Sequence, residues 1–307
     1  MASVGREQVS ERRSITASSS QPPATDVPRW ALGRPSDGEW EKMNGMNSAD
    51  VVRRYLARLD LTEPPPVSAK GLRTIQEAHL RTVPFENLSI NIGEEIPLSH
   101  RAFAEKVALR RRGGICYELN GALYWLLKKL GFDVVLASSR VWVDGRLTHP
   151  GDHMIVLVTL DSRKSDVRIA DVGFGAHAVK PLKLNKSGEQ DDATGTYVVR
   201  PVGSGSFDVV HNDRPVYRIE PGHRVLEDFR AVYWWQRTSP ESRNTQRTVC
   251  SLPTDTGRVT LSNTELTRTE NGEKQVRELD DAAVLAAYHD YFDIVLDDVP
   301  RPKFPLA

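Results

Sequence analysis

Only two cysteines, Cys116 and Cys250, occur among 307 residues, and there is no Cys-x-x-Cys pair. That excludes a disulfide framework and a zinc ribbon, which need several such residues at short spacings. Charge of one sign is also missing, since 41 Lys and Arg balance 41 Asp and Glu. A neutral chain exerts no global pull on nucleic acid or on an anionic membrane surface. No apolar run approaches the length of a bilayer span. The N-terminus lacks a charged start followed by an apolar core, so no secretory signal is read there. A cytoplasmic protein with a free thiol is the expectation, with no metal, nucleic acid or membrane among its partners. No internal repeat is visible, and the sequence specifies no oligomeric state.

A chain of this length has room for two or three small domains. Residues 1–45 differ from the rest. Ser18-Ser19-Ser20-Gln21-Pro22-Pro23 lies in a polar stretch that cannot bury enough apolar surface to offset ordering, so a mobile extension is expected. Trp30 and Trp40 are exceptions that could dock on the body. Met46 to Asp50 then opens a helix with Val51, Val52, Tyr55 and Leu56 on one face. Further helices are expected from Gly71 to Thr82 and from Ser99 to Arg110.

Cys116 has the most telling surroundings. It follows Arg112-Gly113-Gly114-Ile115 and precedes Leu119, Leu123, Leu126, Leu127 and Leu130, which recur at helical spacing before Gly131 stops the run. Cys116 therefore falls in the first turn of a helix. Free backbone N–H groups and the positive dipole end favour an anion there, and the thiolate is the nucleophilic form of cysteine. The competing reading is a small buried hydrophobe.

After Gly131 the period changes to that of strands. Val134 to Ala137 and Arg140 to Val143 read as two, and Asp144-Gly145 as a two-residue hairpin turn. His153 to Leu160 and Val167 to Val172 read as a hairpin around the polar stretch Asp161 to Asp166. His153 and Asp171 are equidistant from position 162, so they are expected opposite or nearly opposite, on one face. A carboxylate beside an imidazole fixes its tautomer and stabilises its charged form. The alternative is a strand-end histidine and a turn aspartate with no joint role. His149 is a rival base, in the turn before the apolar strand. The His149-Pro150-Gly151-Asp152-His153 spacing would suit a metal only on a helix, which Pro150 and Gly151 oppose. The strand signal continues through Gly195 to Val199 and Phe207 to Val210. Leu226 to Gln236 reads as a connecting helix, and Val259-Thr260-Leu261 as a strand. A last helix has Asp281 as its cap and Val284, Leu285, Tyr288 and Phe292 on its buried face.

Four segments together resemble the arylamine N-acetyltransferase family. They are Arg112 to Asn120, Pro84-Phe85-Glu86-Asn87-Leu88, His153 before its apolar run, and Ala170-Asp171-Val172-Gly173-Phe174-Gly175. The likeness covers roughly Met46 to the C-terminus. It implies an α+β fold with an N-terminal helical bundle, a central antiparallel β-barrel and a C-terminal α/β lid around a cysteine-protease-like Cys-His-Asp core. The expected divisions are 46–130 (helical), 131–225 (barrel), 226–240 (connecting helix) and 241–307 (lid).

The resemblance makes Cys116 the acyl-accepting nucleophile, His153 the base and Asp171 its orienter. It implies acetyl-CoA as acyl donor, no metal, and a small arylamine or hydrazine as acceptor, with transfer through an acetyl-cysteine. Gly173 and Gly175 match positions near the pantetheine arm of CoA. Phe85, Val141 and Phe174 match positions lining the acceptor pocket, although each also suits a core. The basic run Arg110-Arg111-Arg112 could attract CoA phosphates or serve structural pairing. One departure stands out. Where the family often carries a proline–phenylalanine pair after a serine, this chain continues Ser242-Arg243-Asn244, which would open or polarise the acceptor site. The other functions considered are an amide synthase of the same fold, a cysteine peptidase or transglutaminase, and an inactive CoA-binding sensor.

Overall fold

The computed structural model describes residues 46–163 and 165–305. The expected mobile extension, with Trp30 and Trp40, lies outside the described residues.

The N-terminal part is helical. Helix α1 (Ser48–Arg58) is capped by Asn47, whose side chain accepts from the Asp50 N–H at 2.9 Å. Helix α2 (Ala69–Thr82) is capped by Ser68. A two-residue strand, β1 (Phe85–Glu86), and a single turn, α3 (Leu88–Asn91), lead to α4 (His100–Ala108), capped by Ser99. Helix α5 (Cys116–Lys129) ends before Gly131, whose φ of +92° is a conformation natural to glycine. Its stripe of Leu119, Leu123, Leu126 and Leu127 is fully buried. Burial of each such side chain contributes about 1.5–3 kcal/mol.

Nine strands form the central antiparallel sheet. In chain order they are β2 (Asp133–Val143), β3 (Arg146–Leu147), β4 (His153–Thr159), β5 (Val167–Ala170), β6 (Leu182–Lys183), β7 (Glu189–Asp192), β8 (Gly195–Pro201), β9 (Phe207–His211) and β10 (Arg214–Arg224). The spatial order is β6-β5-β4-β2-β10-β9-β8-β7, with β3 paired to β2. The two ends meet through one side chain. Gln190 on β7 accepts from the Lys183 N–H at 2.7 Å and donates to the Lys183 carbonyl at 2.9 Å. The barrel is therefore nearly closed, around an interior that includes Ile155, Tyr197, Val209 and Tyr217. At the Asp144-Gly145 turn both residues have positive φ, which matches the twist of a tight hairpin.

A 3₁₀ turn (Leu226–Phe229) precedes α6 (Arg230–Thr238) and the short α7 (Arg243–Gln246). The second sheet comprises β11 (Val249–Pro253), β12 (Gly257–Ser262), β13 (Glu265–Glu270) and β14 (Glu273–Glu278), covered by α8 (Asp281–Phe292). Its other edge is β1, with Phe85 opposite Ser251 and Glu86 opposite Cys250. The upstream segment at Pro84 thus joins the C-terminal sheet to the helical part.

Several elements differ from the sequence reading. The two strands expected over 134–143 are one, because Ser138 and Ser139 between them find hydrogen-bond partners. The Ser138 hydroxyl donates to Glu220, and the Ser139 hydroxyl donates to the His153 carbonyl at 3.0 Å. Strand β10 gives no clean alternation, since its Pro215 and Pro221 coincide with shifts of register. Helix α8 is capped by Asp280, whose side chain accepts from the Ala283 N–H at 2.8 Å; Asp281 is the first helical residue. Leu285 is half-buried there, while Val284, Tyr288 and Phe292 are core.

Candidate active site

Cys116 is the first residue of α5. Two glycines set its position. A Cβ on Gly113 would come 1.8 Å from the Pro84 carbonyl oxygen, and one on Gly114 would come 2.3 Å from Glu118 Oε2. Only bare backbone lets the chain pass between β1 and the helix start, where the Gly114 carbonyl accepts from the Glu86 N–H at 3.1 Å. Behind this turn lies a buried ionic cluster. Lys106 Nζ is 2.6 Å from Glu118 and 3.6 Å from Glu86, and Arg112 donates to Glu86 at 3.1 Å. Burial opposes charge on Glu86, yet Arg112 and Lys106 hold its carboxyl below its ordinary range. The basic run is spent on such pairs: Arg110 on Glu94, Arg111 on Asp293, and Arg112 on Glu86 and Glu94.

His153 opens β4 and is buried. Its Nε2 lies 2.8 Å from Asp171 Oδ2, and the Cys116 side chain is near enough to add to the forces that raise the His153 pKa. The Cys116 sulfur is 3.9 Å from the carbonyl oxygen of Asp152. The hairpin register is offset from the symmetric one expected. Val156 faces Ala170 and Thr159 faces Val167, so His153 comes level with Gly173, and Asp171 sits two residues away on the diagonal. An offset of two keeps both side chains on one face, so the pair forms across the diagonal just beyond the end of β5.

Electrostatics favour the charged pair. Burial would lower the His153 pKa, but the Asp171 charge and hydrogen bond, with the Cys116 contact, raise it to about 10. Burial would raise the Asp171 pKa; His153, followed by His177 and Asn120, holds the carboxyl well below its ordinary range. His177 is buried nearby and its pKa is lowered to about 4 by burial, so it is neutral at pH 7, with Nε2 3.1 Å from the Tyr217 hydroxyl. Cys250 differs from Cys116 in kind. It is fully buried, and burial pushes its thiol well above the ordinary range.

Several positioning residues were not read from the sequence. Asn120, one turn after Cys116, donates from Nδ2 to Asp171 Oδ1 at 2.8 Å and to the Met154 carbonyl at 2.6 Å, and its Oδ1 accepts from the Val172 N–H at 2.9 Å. Gln76 accepts from the Asp171 N–H at 3.3 Å. The Tyr117 hydroxyl donates to the Gly151 carbonyl at 2.8 Å and fixes the turn before His153. Tyr217 packs its ring 5.3 Å from that of His153. The available signal for Asn120 and Gln76 was a polar residue on an otherwise apolar helix face.

A cleft of about 660 Å³ opens over the sulfur, with Phe85, Val141 and Phe174 among its walls. Phe174 also stands edge-on to the His153 ring at 5.2 Å. Gly173 lines the cleft and packs against the nucleophile's own backbone: a Cβ there would come 2.7 Å from Cys116 Cα and 2.8 Å from Asn120 Nδ2. Gly175 has φ +88° and only Phe85 near it, so its backbone angle, not crowding, is what a side chain would disturb. His149 lies at the cleft wall against Trp235, at 5.4 Å between ring centres, and makes no contact with Asp171. Arg140, Arg243, Asn244 and Arg247 also line the cleft. Among the described residues no group of three His, Cys, Asp or Glu side chains could hold a metal ion, and no helix is long and apolar enough to cross a membrane.

A cysteine at a helix start, beside a histidine–aspartate pair under an open cleft, defines a thiol-dependent acyl-transfer architecture. Comparison with known proteins narrows this. The N-acetyltransferase family model matches residues 69–300. An arylamine N-acetyltransferase of Escherichia coli is 30% identical over 256 residues, covering 81% of this chain and 90% of that one. A Salmonella typhimurium relative named arylamine N-acetyltransferase / N-hydroxyarylamine O-acetyltransferase is 30% identical over 260 residues, covering 81% and 90%. The crystal structure of a cysteine-to-glutamine variant of the Mycobacterium smegmatis enzyme superposes with a TM-score of 0.75 at 28% identity, covering 83% of this chain and 98% of that one. This chain belongs to the arylamine N-acetyltransferase family. Its fold is the family's α+β arrangement of helices, barrel-like sheet and C-terminal α/β part. The related Bacillus cereus structure, with a TM-score of 0.75 at 26% identity over 82% of this chain and all of that one, is described as having a Cys-His-Glu triad; in this chain the carboxylate paired with His153 is that of Asp171.

Proposed function

We propose that the protein transfers an acetyl group from acetyl-CoA to the nitrogen of an arylamine or arylhydrazine in two steps through acetyl-Cys116. The Cys116 thiolate attacks the thioester carbonyl carbon, and the bond to the CoA sulfur breaks. The leaving thiolate takes the imidazolium proton of His153 and departs as CoA. The amine nitrogen then attacks the acetyl-cysteine, gives its proton to His153, and expels the Cys116 thiolate. Asp171 orients the ring and stabilises its cationic form. The Cys116 backbone N–H, free at the helix start, donates to the oxyanion that develops in both steps.

The observation carrying this reading is the pairing of His153 with Asp171 at 2.8 Å, with Cys116 and His153 both lining one cleft. Phe85, Val141 and Phe174 supply apolar wall for an aryl ring. Arg140, Arg243 and Arg247 bring positive charge to the same cleft, which suits the phosphates of CoA. Gly173 serves by letting the loop pack against the helix start, and Gly175 by supplying the positive φ of the turn, on the side from which the pantetheine arm reaches the sulfur. Intact-mass spectrometry after mixing with acetyl-CoA tests the scheme. One acetyl group should appear on Cys116, none in Cys116→Ala, and addition of an arylamine should discharge it. Active protein that never carries the adduct would sink the two-step route.

A further inference from the structure

A second concave site lies on the barrel, away from the thiol. A pocket of about 540 Å³ gathers six cations, Lys70, Arg73, Arg168, Lys180, Lys183 and Lys186, with Asp191 as the one carboxylate lining it. Two of the six are ion-paired, Arg73 with Glu77 at 2.6 Å and Arg168 with Asp166 at 2.5 Å, and Asp166 also interacts with the Lys183 charge. None of the four lysines makes an ion pair with a carboxylate among the described residues. Such density stands out in a chain whose formal charge is zero.

Arg168 and Lys183 are direct cross-strand partners on β5 and β6, and Asp166 offsets part of their repulsion. The pocket also lies over the seam where Gln190 closes the barrel. Its remaining wall is the first turn of α2, whose fourteen residues present Ala69 and Lys70 to it. Ser68 satisfies the Gly71 N–H there. The first N–H groups of the turn, at Ala69 and Lys70, have no partner within the helix and add positive potential.

We propose that this pocket binds a small polyanion carrying two or more phosphate groups. Lys180 and Lys186 donate to the Asp191 and Glu189 carbonyls at 3.4 and 2.6 Å, which leaves their charge uncompensated, and four such ammonium groups with a helix start exceed what one phosphate needs. No aromatic side chain lines the pocket, so nothing is offered to a nucleobase for stacking. The recognised feature is therefore the phosphate cluster alone. The concavity has the size of a small-ligand site and is not an extended track for a nucleic acid backbone.

Calorimetric titration of the full chain with inorganic tripolyphosphate tests the proposal. One saturable site is expected, with affinity falling as salt rises from about 50 to about 200 mM, because added ions screen the charges. The Lys180→Glu/Lys183→Glu variant should weaken binding about thirtyfold or more while the KM for acetyl-CoA stays within about twofold. Because those positions flank the barrel seam, Lys70→Gln/Lys186→Gln, with both side chains exposed, provides a second variant, expected to bind about tenfold more weakly at unchanged melting temperature. Unchanged tripolyphosphate affinity in both variants would overturn the site. So would a short DNA duplex that binds more tightly than tripolyphosphate. A rise in the KM for acetyl-CoA that matches the loss of tripolyphosphate binding would reassign the cations to the donor and refute a separate site.

Discussion

Asn120 and Asp171 meet at 2.8 Å in the core, although 51 residues separate them in the chain. Asn120 lies four residues after Cys116 on α5, so nucleophile and clamp share one helix face. The same amide bonds the Met154 carbonyl, one residue past the base. One rigid helix thus sets the position of all three groups. Asn120→Ala should leave the Asp171 carboxylate short of a donor, at a cost of about 1–3 kcal/mol in stability. The acylation rate should fall roughly 10–100-fold, the loss expected when a supporting group behind a reactive one is removed. Stopped-flow acylation with acetyl-CoA and a melting curve check both. Wild-type rates in Asn120→Ala would show that the clamp is dispensable.

The His153–Asp171 pair makes stability depend on pH in a defined direction. The folded pKa of His153 is raised to about 10, from an ordinary value near 6.5. Its contribution is therefore complete below about pH 6.5 and lost as pH climbs toward 10. Asp171 has a depressed folded pKa, so its contribution is present above about pH 4 and lost on further acidification. Both reflect one interaction and are counted once. Denaturant midpoints of the wild type and His153→Gln should differ most between pH 4 and 6.5, as these two pKa windows require, and converge toward pH 10. A difference that grows with alkalinity would contradict the ion pair.

The glycines after Asp171 should respond differently to alanine. At Gly173 the new Cβ would press on Cys116 Cα and on Asn120 Nδ2. Overpacking there should cost about 1–3 kcal/mol and displace the nucleophile, so acylation should fall with stability. At Gly175 the space is open and only the positive φ resists, a cost of about 1–2 kcal/mol. Gly175→Ala should thus lower the melting temperature while keeping most of the acylation rate. Equal loss of rate in the two variants would refute the distinction.

Arg243 and Arg247 stand at the cleft as exposed guanidiniums with no carboxylate partner among the described residues. If they meet the donor's phosphates, Arg243→Gln/Arg247→Gln should raise the KM for acetyl-CoA about 5–20-fold at nearly constant kcat, the pattern of lost uniform binding. The effect should shrink at high salt. A change confined to the amine's KM would move these residues to the acceptor side.

How much was legible follows from the range of each interaction. The Cys116 helix, the hairpin after it and the shared face of His153 and Asp171 were all readable, because periodicity and turn chemistry act within a few residues. The hairpin register was off by two, since the polar loop from Asp161 to Asp166 does not have to pair symmetrically. Strand β10 was unreadable because its prolines interrupt the alternation, and with it went Tyr217 beside His153.

The sequence alone determined a cysteine at a helix start and a His–Asp face on a hairpin, because both arise from local backbone geometry. Only tertiary structure decided that these converge under one cleft, that Arg112 is consumed by Glu86, and that β1 completes a sheet with Cys250. Those outcomes depend on which distant groups are buried together. A buried polar atom finds its partner through the packing of the whole chain, and no short window of residues encodes that choice.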